Sequence, residues 1–494
     1  MPDVSRVSPY RRLILMMRSL YSGVSGLKVH QTKMDVIGNN ISNVNTVGFK
    51  SSQVNFSDIL YQTTSSASGP NANSGTAGVN AKQIGLGASV ASISSTMTVS
   101  GGSQRTDNAL DIMIEGEQFF IVNNGVQNLF TKAGAFTVDA NGTLCTSSGC
   151  KVMGWQVDPN DASKTVADTV SELRVMAPDT MYVEPVATTN VYVSGNIDYK
   201  DTQLTTDTGK TTTLSFYDNL GQSYMAVMKI KQSDEATNQY KVSITNILDA
   251  KGESIFVKKT VEDDGTITYG ASEITEFEFG AEGDSVQAQV NDDGTVEIEM
   301  EGVDLEFDAA TGKFSKVGGE DNGKSISFMV VTDPSPFQRI DVDFSSMTMY
   351  AASGSSSFSC SRGALTDGSG AGKPQGNMTG LSVDTSGRIY GTYDNGDTKL
   401  LCQIAVASFA NAAGLEAVGN NLFRQTMNSG SFDGVGQDIS NGGGKMNTGV
   451  LEMSNVDLST EFTQMITTQR GFQANSRTIT TSDTLLEELI NLKR

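Results

Sequence analysis

Leu458, Met465, Phe472, Ile479 and Leu486 recur at an unbroken seven-residue spacing near one end of this chain, and Leu20, Leu27, Met34 and Ile41 do the same near the other. A sustained repeat of seven places such side chains in one seam along a helix, and a seam that narrow requires a partner helix. Val24, Ile37 and Val44 add a second row to the first segment. Phe462 and Leu489 extend the last one. Both segments are otherwise polar, and flexible stretches separate them from the rest of the chain. The repeat therefore predicts terminal helices that pair as a coiled coil and are completed by other copies of the molecule.

The N-terminal helix is expected over about Ser19 to Asn45, with Ser19 as cap. Gly23, Gly26 and Gly38 each lower its intrinsic helicity by about 1 kcal/mol relative to alanine, so it needs docking to be stable. The C-terminal helix is expected to start at Asp457, a good N-cap, with Thr460 and Glu461 where a capping partner sits.

Between the tails the sequence reads as strands. Leu110, Ile112 and Ile114 alternate with Asp111, Met113 and Glu115 and lead into Phe119 to Val122. Asn123-Asn124-Gly125 and Asp139 to Gly142 supply hairpin turns. Val296, Ile298 and Met300 alternate with glutamates, as do Val303, Leu305 and Phe307 with acids. Asp-Asp-Gly-Thr at 263–266 and 292–295 reads as two more hairpin turns. The segment 62–89 begins with Ser, Thr, Gly and Asn, too polar to bury a core, and is expected to be a linker or an extended arm lying on a neighbour.

The 494 residues suffice for about three domains. The predicted fold is mainly β with α-helical termini, nested around two or three β-rich domains. Residues 1–16 are expected to be an extension, with Met16 or Met17 as the natural start. The helix and turn occupy 17–61, the arm 62–89, and a first β domain 90–165 and 378–447. One or two inserted outer domains fill 166–377, and 448–494 is the C-terminal helix.

Composition narrows the chemistry. A net charge of −21 opposes binding to nucleic acid or to anionic membranes. No apolar run approaches the ~18–20 residues of a membrane span, and no cleaved signal is expected. His30 is the single histidine, which excludes multi-histidine metal sites and leaves it as a helix-surface or interface residue. Cys145, Cys150, Cys360 and Cys402 are read as free thiols, with half a metal site or a small disulfide loop at Cys145 and Cys150 as the alternatives. Between Thr260 and Gly312 stand 16 acids and no Lys or Arg. Their spacing matches no calcium loop, so they are read as the solvated face of a sheet. No catalytic residue, metal ligand or cofactor is expected. A secreted calcium-binding adhesin or a carboxylate-dependent hydrolase is the reading that the acidic block leaves as a rival.

The segment from Met17 to Leu27, followed by Gly38-Asn39-Asn40-Ile41-Ser42-Asn43-Val44-Asn45-Thr46-Val47-Gly48-Phe49-Lys50, closely resembles the N-terminal signature of the flagellar rod and hook axial proteins. Leu451-Glu452-Met453-Ser454-Asn455-Val456-Asp457-Leu458 and Thr468-Gln469-Arg470-Gly471-Phe472 are similar to the other end of that family. The signature residues are thus Asn39, Asn40, Asn43, Thr46, Gly48, Phe49, Asn455, Val456, Asp457, Leu458, Gln469 and Arg470. Length favours the hook branch over the shorter distal rod proteins. The resemblance implies a structural subunit exported without a cleaved signal and polymerised into a curved tube that joins rod to filament around an export channel. The partners implied are further copies, rod and hook–filament junction proteins, the hook cap protein and the flagellar export apparatus.

Overall fold

A computed structural model describes residues 9–70, 75, 77–158, 161–233, 236–261, 267–281, 283–318 and 323–491. The chain divides into two compact units. The first is built from residues up to Thr180, Gly380–Thr392 and Thr398 onward; the second comprises Met181–Thr379 and Tyr393–Asp397. The insertion therefore begins at 181, later than the expected 166, because strands at Asp161–Thr165 and Ser171–Glu172 still pair within the first unit.

The first unit carries both helices, α1 (Pro9–Ser42) and α2 (Leu458–Asn491), each of 34 residues. α1 starts ten residues ahead of the expected Ser19 cap. Proline suits a first helical turn, where its missing N–H costs nothing. The expected extension 1–16 thus lies partly outside the described residues and, from Pro9, is helical. At its far end α1 stops at Ser42, three residues early. There Asn43 turns the chain, its backbone N–H bonded to Asn39 O and its side chain to Asn39 Oδ1.

After α1 come β1 (Ser52–Asp58), β2 (Tyr61–Ser65), β3 (Lys82–Gly85) and β4 (Ala88–Ser95). β1 pairs with β4 and β2 with β3, and a further bridge joins Ser68 to Val79. Together they make one antiparallel ribbon, about 55 Å from Ser52 to Ser68 at the usual rise per residue. Its base packs on α1. Its outer half, β2 and β3, has every residue exposed. The segment expected to be a linker or arm is thus a paired arm.

The β domain of this unit joins chain segments from both sides of the insertion. β5 (Ser103–Arg105) pairs with Val450–Glu452 and β6 (Ile112–Glu115) with Lys445–Thr448. Further in, Trp155 lies opposite Gln403, Phe120 opposite Val406 and Phe130 opposite Phe423. Phe119, Ile121, Phe130, Trp155, Ala405 and Phe423 form its core. The Trp155 indole N–H is shared between the carbonyls of Asp168 and Val435, so the buried ring leaves no polar atom unpaired.

The core of the second unit is built on two larger sheets, and a separate hairpin pairs Val257–Val261 with Ile267–Ala271. A seven-stranded sheet runs from Val296–Ile298 to Ser357–Arg362, and a five-stranded sheet from Lys210–Tyr217 to Phe314–Val317. Phe216, Tyr240, Phe277, Phe307, Phe328 and Phe344 are buried in that core. The alternation read from the acidic block holds: Val296, Ile298 and Met300 are half-buried between exposed Glu297, Glu299 and Glu301, and Leu305 and Phe307 are buried on either side of Glu306. The turn expected at 292–295 closes a hairpin, with Gly294 at φ +83° and Asp293 Oδ1 accepting from Thr295. The turn expected at 263–266 lies outside the described residues. All four cysteines are free thiols; Cys150 and Cys402 are buried.

Candidate functional site

The two helices meet along a line of small and polar residues. Ser19 Oγ lies 3.0 Å from Ser482 Oγ. A Cβ on Gly23 would fall 2.9 Å from Ile479 Cγ1, and one on Gly26 would fall 2.7 Å from the Asn475 amide. His30 faces Gly471 in the same way, and Asn40 Nδ2 donates to Glu461 Oε1 at 3.0 Å. As the α1 number rises, its α2 partner falls, so the helices are antiparallel. Glu461, Thr468 and Ser482 are buried along this line, and Asn475 continues their seven-residue period.

The predicted pairing is therefore correct in its period and displaced in its row. Glu461, Thr468, Asn475 and Ser482 each follow an apolar heptad residue by three, which rotates them by about 60° around the helix. Glycine, serine and asparagine occupy the contact because they let two backbones approach closely. Ile479 is the expected seam residue that enters the contact line. Met465, Phe472 and Leu486 flank it half-buried, whereas Leu458, Phe462 and also Ile466 are exposed. On α1, Leu20, Leu27, Met34, Ile41 and Val44 are half-buried and Val24 is exposed, while Ile37 is buried with Val29, which the heptad omitted. The Leu489 side chain lies outside the described residues. An apolar row on α2, Leu458, Phe462 and Ile466, is thus left exposed, with Val24 exposed on α1.

Where the helices join the β domain, the signature residues form a knot of hydrogen bonds. Asn40 grips both backbone groups of Ser52: its Oδ1 accepts from Ser52 N at 3.0 Å and its Nδ2 donates to Ser52 O at 2.9 Å. Asn455 Oδ1 accepts from Ser51 N at 2.7 Å, and its Nδ2 donates to Thr96 O and Val99 O. Asp457 caps α2 as expected, accepting from Ser459 N and the Thr460 hydroxyl, which holds its carboxyl below the usual range. Asn43 accepts from the Thr46 hydroxyl, and Phe49 N donates to Thr46 O. Val456 is half-buried, and Gln469 and Arg470 are exposed on α2.

At the centre of the knot a buried ion pair joins the two tails. Lys50 Nζ lies 2.7 Å from Glu452 Oε1, with side-chain exposures of 1% and 0%. Lys50 also donates to Val99 O, and Glu452 Oε1 accepts from Gly101 N. Lys132 is equally buried, donates to Gly116 O at 2.7 Å, and sits 5.0 Å from the Phe119 ring. Burial pushes its pKa down to about 8; Glu452 pulls it up and Lys50 pushes it down further. Lys50 and Glu452 stand inside the terminal motifs, yet a charged residue next to a turn reads as solvated. Nothing local marks either as buried, and Lys132 carries no sequence signal of its own.

Gly48 shows how tightly the knot is drawn. Its φ is +70°, and a Cβ there would fall 2.7 Å from the backbone nitrogen of Ala133. Gly48→Ala is expected to destabilise this junction by about 1–3 kcal/mol from backbone strain alone. Faster proteolysis between the helices and the β domain, at unchanged stability of the second unit, is the expected readout.

Four family models match consecutive parts of the chain: the flagellar basal body rod protein at 20–50, the flagellar hook protein FlgE/F/G D1 domain at 113–196, the flagellar basal body protein FlaE D2 domain at 187–364, and the flagellar basal body rod FlgEFG protein C-terminal region at 447–492. Among curated proteins, the flagellar hook protein FlgE of Treponema pallidum is 34% identical over 497 residues, covering 97% of this chain and 100% of that protein. The chain belongs to the flagellar hook protein family. The hook protein FlgE of Borreliella burgdorferi is likewise 34% identical, over 489 residues and the same shares of both chains. The basal-body rod protein FlgG of Bacillus subtilis is 28% identical over 479 residues, covering 97% of this chain and 100% of its own. The terminal segments matched in this hook-family subunit contain most of the helix line and of the knot.

Proposed function

We propose that this chain is the structural subunit of a bacterial flagellar hook. It polymerises into a curved tube that transmits torque from rod to filament and encloses the export channel. The observation that carries this reading is the displaced seam. α1 and α2 pair through Ser19, Gly23, Gly26, Asn475 and Ser482, and this pairing leaves Leu458, Phe462, Ile466 and Val24 exposed. A helix bearing an uncovered apolar row gains its burial from a neighbour. The contacts that cover it are heterologous, the kind that extend into a helical polymer when rotation does not close them into a ring.

The exposed β2–β3 arm supports the same reading. A two-stranded ribbon is marginal alone and offers unpaired edges, so it gains order by lying against another copy. Partners at the ends of the tube are rod and hook–filament junction proteins, with the cap protein at the growing tip. Delivery is through the flagellar export apparatus without a cleaved signal, and the subunit performs no catalysis. Electron microscopy of the purified chain at neutral pH is the test. Tubes of uniform diameter above a critical concentration are expected, and a monomer at every concentration and salt would count against the proposal.

A further inference from the structure

His30, the single imidazole of the chain, lies inside the helix contact line. Its Cε1 and Nε2 would each stand 2.7 Å from a Cβ placed on Gly471, so the ring edge rests directly on the α2 backbone. Phe56 of β1 meets the ring edge-on, with centroids 5.8 Å apart and planes at 89°. The ring therefore touches all three elements that meet here: α1, α2 and the base of the ribbon.

Its Nδ1 is buried and has no hydrogen-bond partner. A neutral ring tolerates this by carrying its proton on Nε2 and leaving Nδ1 as a bare acceptor. A second proton has to go onto Nδ1, where nothing accepts it, and a buried donor without an acceptor is costly. The surrounding charges do not help. Lys33, whose Nζ lies 5.6 Å from the Phe56 ring centroid, opposes a second positive charge nearby. Lys28 and Asp35 on α1, Asp58 on β1 and Arg470 on α2 are the other charged residues closest in sequence to the contact points, and neither carboxylate is bonded to the ring.

We infer that His30 makes the pairing of the terminal helices acid-labile, and with it the assembly that depends on their order. This inference rests on the polymer reading above. Burial first, and Lys33 second, hold the His30 pKa below its ordinary 6.5 when the helices are paired. In separated tails the ring titrates near that ordinary value. The unpaired state then binds more protons over the interval between the two values. Pairing is at full strength above about pH 6.5, weakens as pH falls through it, and levels off below the paired-state pKa.

The test measures the critical concentration of the full chain, by sedimentation, near pH 7.5 and near pH 5. For the wild type it should rise on acidification by about tenfold per unit by which pairing lowers the pKa. His30→Gln, which is uncharged at both values, should lose that part of the dependence. Identical acid sensitivity in both proteins would overturn the inference. The sole histidine also gives one set of imidazole resonances in a selectively labelled protein. A pKa at or above 6.5 in assembled tubes would overturn it even if the variant assembles poorly. Absence of wild-type tubes near pH 7.5 sinks the polymer reading instead, and the imidazole pKa in the soluble chain then decides whether helix pairing is acid-labile.

Discussion

Glu452→Gln is expected to release the helices from the β domain, at a cost of about 3–5 kcal/mol to that junction, because it leaves a buried cation without its anion. The carboxylate serves more than one partner. It holds Lys50 at 2.7 Å, accepts from Gly101 N, and offsets part of the burial that depresses Lys132. Neutralising it strands two buried lysines. Lys50→Met removes one cation and leaves Glu452 facing Lys132, so the single lysine variant should be milder. The double variant Lys50→Met/Glu452→Gln should recover part of the loss, since coupled residues are not additive. Hydrogen exchange of β5 and of Lys445–Glu452 reads the junction directly. Wild-type protection in Glu452→Gln would mean that the ion pair contributes nothing.

The helices, their direction of repeat and the alternating strands of the insertion were legible because each is written in apolar residues at a fixed period. What the repeat did not reveal is where the helices touch. Gly23 and Gly26 read as weak points in a helix and Ser19 as its cap, while Gly471, Asn475 and Ser482 stand outside the apolar heptad rows. Their burial depends on a second backbone arriving within van der Waals distance, which period alone does not encode. The ribbon of β1 to β4 escaped for a related reason. Its outer strands, Tyr61–Ser65 and Lys82–Gly85, are short and mostly polar with every residue exposed, so their pairing buries no apolar face that a periodicity would reveal. Asp457 was recognised as a cap because capping is local, spanning Asp457 to Thr460. Lys50 and Glu452 are 402 residues apart, and only the closed fold brings them together.

Phe462→Asp with Ile466→Asp is expected to abolish tube formation while leaving the single chain folded. These side chains are 49% and 59% exposed in the subunit, and they lie away from the row of Glu461, Thr468 and Ser482 that meets α1. Surface changes of this kind usually alter stability by no more than about 0.5 kcal/mol. Covered by a neighbour, an apolar side chain contributes about 1.5–3 kcal/mol. Losing two amounts to roughly 4 kcal/mol, or about a thousandfold in critical concentration, before any cost of burying the new charges. Phe462→Leu with Ile466→Val keeps most of the apolar area and should still polymerise, at a modestly higher threshold. The contrasting variant is Gly26→Leu, which drives a side chain into Asn475 and should separate the two helices within the subunit itself. Circular dichroism distinguishes the two: helix content in the soluble chain should survive the aspartates and fall with the leucine. Normal tubes from the double aspartate variant at wild-type concentration would place the intersubunit contact elsewhere, because a charged row on α2 is incompatible with a dry seam there.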